Sequence, residues 1–129
     1  MKTSILAGFG VALALSATVN AQPSAVHKTT LQTDPFPGAG NHSVLVHTDV
    51  DAGGLVGRHT HPGLELAFID KGEALVRIDG RPELHLSAGA SFDVPPKTPH
   101  SVQNVGQGVL TIVSTYVVDP AEPIASPVK

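Results

Sequence analysis

Two histidines and a glutamate in the segment Arg58-His59-Thr60-His61-Pro62-Gly63-Leu64-Glu65 have the types and the spacing to bind a metal ion. On a strand, side chains at i and i+2 project to the same face, so His59 and His61 can aim at one point, as imidazoles sharing an ion must. Pro62-Gly63 turns the chain, and Glu65 opens the next strand, from which a carboxylate can reach the same point. A further nitrogen can come from His100, which follows the proline-rich turn Val94-Pro95-Pro96-Lys97-Thr98-Pro99. A lone histidine is more often an ordinary surface or core residue; the joint pattern is what points to coordination. Three neutral imidazoles and one carboxylate suit one borderline divalent transition metal per subunit: iron, manganese, nickel, copper or zinc. In an octahedral site such a set leaves positions open for substrate or dioxygen, which is the mark of a catalytic rather than a closed structural centre.

The elements that must hold these side chains read as short strands. Runs over Ser43–Val50, Leu55–Thr60, Leu64–Asp70, Ala74–Asp79, Glu83–Leu86, Ser91–Val94, His100–Asn104 and Val109–Val118 are rich in β-formers and bounded by turn residues, with no convincing helix. Lys71-Gly72-Glu73 resembles a hairpin turn, and Asp79-Gly80-Arg81-Pro82 carries the Asp-Gly hairpin signal. About eight strands at roughly ten-residue spacing predict an all-β fold, an antiparallel jelly-roll barrel over residues 43–119. Residues 22–42, with Pro23, Pro35, Pro37, Gly38 and Gly40, read as an extended arm, and residues 120–129 as a proline-rich tail, extended or loosely ordered. His47 and His85 read as strand-face residues, as do Arg77 and Asp79, while His27 and His42 fall in or beside the arm. Phe68, Phe92 and Tyr116 read as barrel or interface packing, with the option of walling a small cavity.

The spacing resembles the two-motif signature of the cupin superfamily. Gly53, His59, His61, Glu65 and Gly72 match the first motif without insertion; Gly89, Pro95, His100 and Asn104 match the second, with Lys97 in place of its usual glycine. The stretch between the motifs, Glu73 to Ala88, is similar in length to that of compact bacterial single-domain members. The resemblance implies a double-stranded β-helix, with His59, His61, Glu65 and His100 as metal ligands, and a homodimer to which the 22–42 arm could contribute. Lys97 is read as marking a different turn type that tolerates lysine, or else a cation at the barrel mouth that attracts an anionic substrate.

Composition narrows the function classes. A formal charge of −3 leaves no basic footprint, which argues against nucleic acid, and the absence of tryptophan removes the usual stacking platforms. No cysteine is present, so stability must rest on core burial and bound metal. Lys2, the apolar run Ile5 to Leu15 and Val19-Asn20-Ala21 read as a signal peptide over residues 1–21, too short to serve as a stable membrane anchor. A periplasmic or secreted protein is therefore expected. Three functions fit: a metal-dependent enzyme on a small molecule, with a dioxygenase-type oxidoreductase favoured; a lyase or isomerase in which Glu65 moves the proton as catalytic base; or a non-catalytic small-molecule sensor.

Overall fold

The computed structural model describes residues 25–37 and 40–129; the expected signal segment and the start of the arm lie outside these residues. The described chain contains ten strands. They form two five-stranded antiparallel sheets. One sheet has the order β1 (Val26–Pro35), β2 (His42–Val50), β9 (Leu110–Val118), β4 (Leu64–Lys71), β7 (Ser91–Val94). The other has β10 (Ser126–Pro127), β3 (Leu55–Thr60), β8 (His100–Asn104), β5 (Glu73–Ile78), β6 (Leu84–Ser87). The expected all-β jelly roll is thus the observed architecture. No helix among the described residues is long and apolar enough to cross a membrane.

Period-two alternation explains how the sheets face each other. In β4, Glu65, Ala67 and Ile69 are buried while Leu66 and Phe68 face out; in β9, Ile112, Ser114, Tyr116 and Val118 are buried. The larger apolar cluster, with Val50, Ile69, Val76 and Leu110 fully shielded, joins both sheets. A smaller one unites Val44, Val46, Tyr116 and Val118. Burying each such side chain contributes about 1.5–3 kcal/mol, which lets the barrel tolerate polar groups elsewhere in its interior.

Three local features depart from the sequence reading. Gly72 is not a hairpin turn: β4 and β5 belong to different sheets, and Gly72 (φ 86°) is the corner between them, packed so tightly that a Cβ would lie 2.9 Å from the Val109 carbonyl oxygen. Within the expected arm, residues 26–35 form strand β1, in antiparallel register with β2 from Val26↔Val50 to Pro35↔His42. In the expected tail, Ser126 and Pro127 pair with Thr60 and His59.

Lys97 also differs from the favoured expectation of a tolerant turn type. Thr98 N–H donates to the Pro95 carbonyl at 3.3 Å, with Pro96 and Lys97 at the centre, and Lys97 has φ 57°. It is the only non-glycine with positive φ among the described residues. Proline followed by a left-handed residue is the type II pattern, which favours glycine at the second position. Lysine there costs about 1 kcal/mol of backbone strain. The turn persists because Lys97 N–H is held by the His61 carbonyl at 2.8 Å. Lys97→Gly should therefore raise stability in urea unfolding by roughly 0.5–1 kcal/mol, part of the strain relief being offset by the greater freedom of glycine in the unfolded chain. A loss of stability would contradict the strained-turn account.

Candidate metal centre

The site is assembled where β3, β8 and β4 meet. His59 and His100 are direct cross-strand partners, and cross-strand partners share a face. That pairing requires an irregularity. Val56 pairs with Val102 and His59 with His100, so β3 carries one residue more than β8 between them, a bulge at Gly57-Arg58. Without it, the alternation that turns Val56 inward would turn His59 out. His61 lies just past the end of β3. Pro62-Gly63 then brings β4 hard against β9, so close that a Cβ on Gly63 would fall 1.8 Å from the Val117 carbonyl oxygen. Glu65 consequently lands opposite Tyr116.

His59, His61, Glu65 and His100 are all buried, and the structure brings the four together. The three histidines each present a nitrogen within 4.8 Å of the others. Each ring is tied at Nδ1 to a backbone carbonyl: His59 to Gly57 at 2.7 Å, His61 to Ile124 at 2.5 Å, His100 to Thr98 at 3.0 Å. Nδ1–H must donate in each case, which leaves every Nε2 free to face inward. His59 Nε2 stands 3.1 Å from His61 Nε2. His61 Nε2 and His100 Nε2 each stand 3.2 Å from Glu65 Oε2. Glu65 Oε2 is buried without a well-formed hydrogen bond, whereas Oε1 accepts from Ser114 Oγ at 2.8 Å and Tyr116 OH at 3.1 Å.

Lone pairs pointed at one another at such distances repel unless a cation or protons lie between them. Ligand atoms about 2.1 Å from an ion stand about 3.0 Å apart at right angles and about 3.4 Å apart at the tetrahedral angle. The observed separations fall between these values, so the residues present fit a divalent ion. The electrostatics agree. Burial lowers the His59 pKa to about 4, against the opposing Gly57 hydrogen bond and with help from neighbouring charges, which keeps the ring neutral. Burial alone would raise the pKa of Glu65, but in the absence of a cation protonated His100 and His61, together with the Ser114 hydroxyl, hold it well below the usual carboxylate range, so the carboxylate calls for positive charge at the same point. Burial and the Glu65 charge push the Tyr116 hydroxyl up, so it stays a proton donor.

Other sequence expectations resolve simply. Asn104 is structural: its side chain donates to the Val50 and Gly108 carbonyls, both at 2.8 Å. Asp79 pairs with Arg58, and Arg77 with Glu83, on the surface. His47 faces outward near Asp49, and His85 is exposed. The supporting roles of Ser114, Tyr116 and the Ile124 carbonyl were not anticipated. A serine in the inward row of β9 was the available signal for the first; a backbone carbonyl leaves none.

A double-sheeted jelly roll with converging imidazoles on its inner face defines a class of small barrel proteins that could hold a metal ion. Residues 46–116, more than half the chain, match the Cupin domain family, and the chain belongs to that family. Among curated proteins, the HTH-type transcriptional regulator PuuR of Escherichia coli is 34% identical over 59 residues, covering 46% of this chain and 31% of that protein. The chain thus spans about a third of the length of the curated relatives it matches. Among solved structures, an uncharacterised Klebsiella pneumoniae protein with a double-stranded β-helix domain has a TM-score of 0.65 at 21% identity, over 78% of this chain and 84% of that one. An oxalate oxidase in complex with the substrate analogue glycolate has a TM-score of 0.68 at 26% identity, over 84% of this chain and 57% of that one.

Replacing a ring that presents Nε2 should empty the site. His59→Ala and His100→Ala are each expected to weaken metal binding by at least about 100-fold, and to abolish the rise in thermal stability that metal gives the unaltered protein. Elemental mass spectrometry and thermal scans with and without added metal read both effects; equal metal content in all three proteins would exclude these residues as ligands.

Proposed function

We propose that this protein is an exported, homodimeric, metal-dependent enzyme acting on a small molecule, a dioxygenase-type oxidoreductase. The observation that carries the reading is the convergence of three Nε2 atoms and the orphaned Glu65 Oε2 on one point. In it His59, His61, Glu65 and His100 hold one iron, manganese, nickel, copper or zinc ion. A bound ion of this kind supplies Lewis acidity and, if redox-active, electrons for dioxygen chemistry.

The chain's own residues do the rest. The three carbonyl-anchored rings keep a fixed tautomer, so the ligand set is preorganised rather than gathered on binding. Ser114 and Tyr116 occupy Oε1 of Glu65 and turn Oε2 towards the histidines. Beside His59, Glu65 and His100 lies a cavity of about 20 Å³, room for a water-sized group and little more. Apolar Val56, Phe92, Val102 and Ile112 wall it and limit the entry of bulk water. The likeness to an oxalate oxidase supports oxygen chemistry on a small substrate.

The lyase or isomerase reading gives Glu65 the role of base. Both of its oxygens are already placed, Oε1 by Ser114 and Tyr116 and Oε2 against His61 and His100, which favours Glu65 as ligand. The sensor reading has one observation in its favour, the partial match to a transcriptional regulator. Export rests on Lys2 and the apolar run that follows it. Homodimer formation is supported by the outward-facing Leu66 and Phe68, 51% and 43% exposed on the same sheet face.

Protein recovered from the periplasm or medium should carry about one transition-metal ion per subunit and consume dioxygen with a small-molecule substrate found by screening. Turnover of a bound ligand without oxygen uptake would move the assignment to the lyase or isomerase reading, and binding of metal and ligand with no turnover to the sensor reading. In light scattering at micromolar concentration the protein should run as a dimer, and Phe68→Glu should shift it towards monomer; a monomer before substitution would remove the dimer from the proposal.

A further inference from the structure

Lysine is an unexpected residue on the inward face of a barrel strand. In β1, Val26, Lys28 and Thr30 fall on one side of the strand, Val26 half-buried and the other two exposed to solvent at the edge of the barrel. Their register partners are Val50, Thr48 and Val46, all of them buried. Direct partners across an antiparallel pair share a face, so Lys28 sits over the interior surface on which Thr48 lies. Val26, two residues before it, packs against the main apolar cluster. The Lys28 side chain therefore runs towards the metal centre, its methylene stem over the sheet and its ammonium in the opening.

Three cavities confirm that placement. Lys28 lines the small one with His59, Glu65 and His100. It also lines one of about 100 Å³ with His61, Tyr116 and Ile124, and one of about 280 Å³ with Gly57, Arg58 and His59. It stands where these spaces meet, between the histidines and solvent. Burial lowers the Lys28 pKa, and the nearby Glu65 carboxylate works against that by favouring the ammonium. Arg58, Arg77 and Arg81 are each paired with a carboxylate. Among the described residues, Lys28 has no carboxylate within ion-pair distance and no hydrogen-bond acceptor.

We propose that Lys28 is the substrate-anchoring residue of the metal centre and makes it selective for a small carboxylate, one oxygen of which enters the cavity beside the histidines while the other meets the ammonium. The inference rests on the metal-centre reading above and deepens it. A divalent ion with one coordinating carboxylate keeps a net positive charge, and Lys28 adds another, so an anion is favoured over a neutral molecule of equal size. The small cavity has room for a single oxygen in place of water.

The test compares glycolate with glycolamide, its neutral analogue of the same size, by calorimetric titration into full-length nickel-loaded protein, with metal content measured for each variant. Lys28→Gln should retain its nickel and bind glycolate about 10- to 100-fold more weakly, with glycolamide affinity unchanged. Lys28→Arg, which keeps the charge, should retain preference for the anion. Undiminished glycolate binding by fully loaded Lys28→Gln would overturn the inference and leave the metal centre standing. Equal losses for both ligands would also overturn it, since they would indicate a structural role. Failure of the unaltered protein to take up nickel or any other divalent transition metal would overturn the metal-centre reading and this inference with it.

Discussion

Mutual repulsion among ring nitrogens is the constraint around which this barrel is organised. Nothing in an apolar interior favours His59 Nε2 lying 3.1 Å from His61 Nε2, with a carboxylate oxygen close to one of them and to a third ring. The arrangement is held from outside, by carbonyls of Gly57, Thr98 and Ile124 that fix each ring, and by hydroxyls of Ser114 and Tyr116 that fix the carboxylate. These supports come from β3, β9, the turn before β8 and the segment before β10, so both sheets contribute to one point. The closed apolar end supplies the stability that lets such a cluster persist.

Polar and apolar functions are consequently divided along the barrel. Ile69, Leu110, Val50 and Val76 fill one end completely, while the histidine end is left with a small cavity and larger openings beyond it. Residues on a single strand serve both ends. In β4, Ile69 packs in the core and Glu65, two inward positions earlier, reaches the metal centre. In β9, Ile112 and Ser114 make the same transition. On β9 the boundary is set by which inward positions are polar, whereas on β3 it also needs the bulge at Gly57-Arg58.

Much of this was legible in the residues. The spacing of His59, His61, Glu65 and His100 indicated the cluster, and strand runs bounded by turn residues indicated the fold. What escaped has physical reasons. Turn residues between two strand runs look alike whether the chain folds back on itself or crosses to another sheet, so Gly72 read as a hairpin. The β1 strand hid because Lys28, Thr30 and Gln32 are polar and Pro35 ends it, leaving little apolar alternation to detect. The inward direction of His59 depends on a bulge that no periodicity announces, although Gly57 stands at it. Lys97 showed that a glycine conformation survives loss of the glycine when a neighbouring hydrogen bond holds the turn.

The carbonyl of Ile124 that fixes His61 lies 63 residues further along the chain. A ribosome releasing this polypeptide would deliver His59, His61 and Glu65 well before the segment that orients the second of them. Until that segment docks beside β3, the His61 ring can rotate and exchange its proton between nitrogens, and the cluster offers an ion a poorer grip. The cluster is thus complete only once the last segment of the chain has docked.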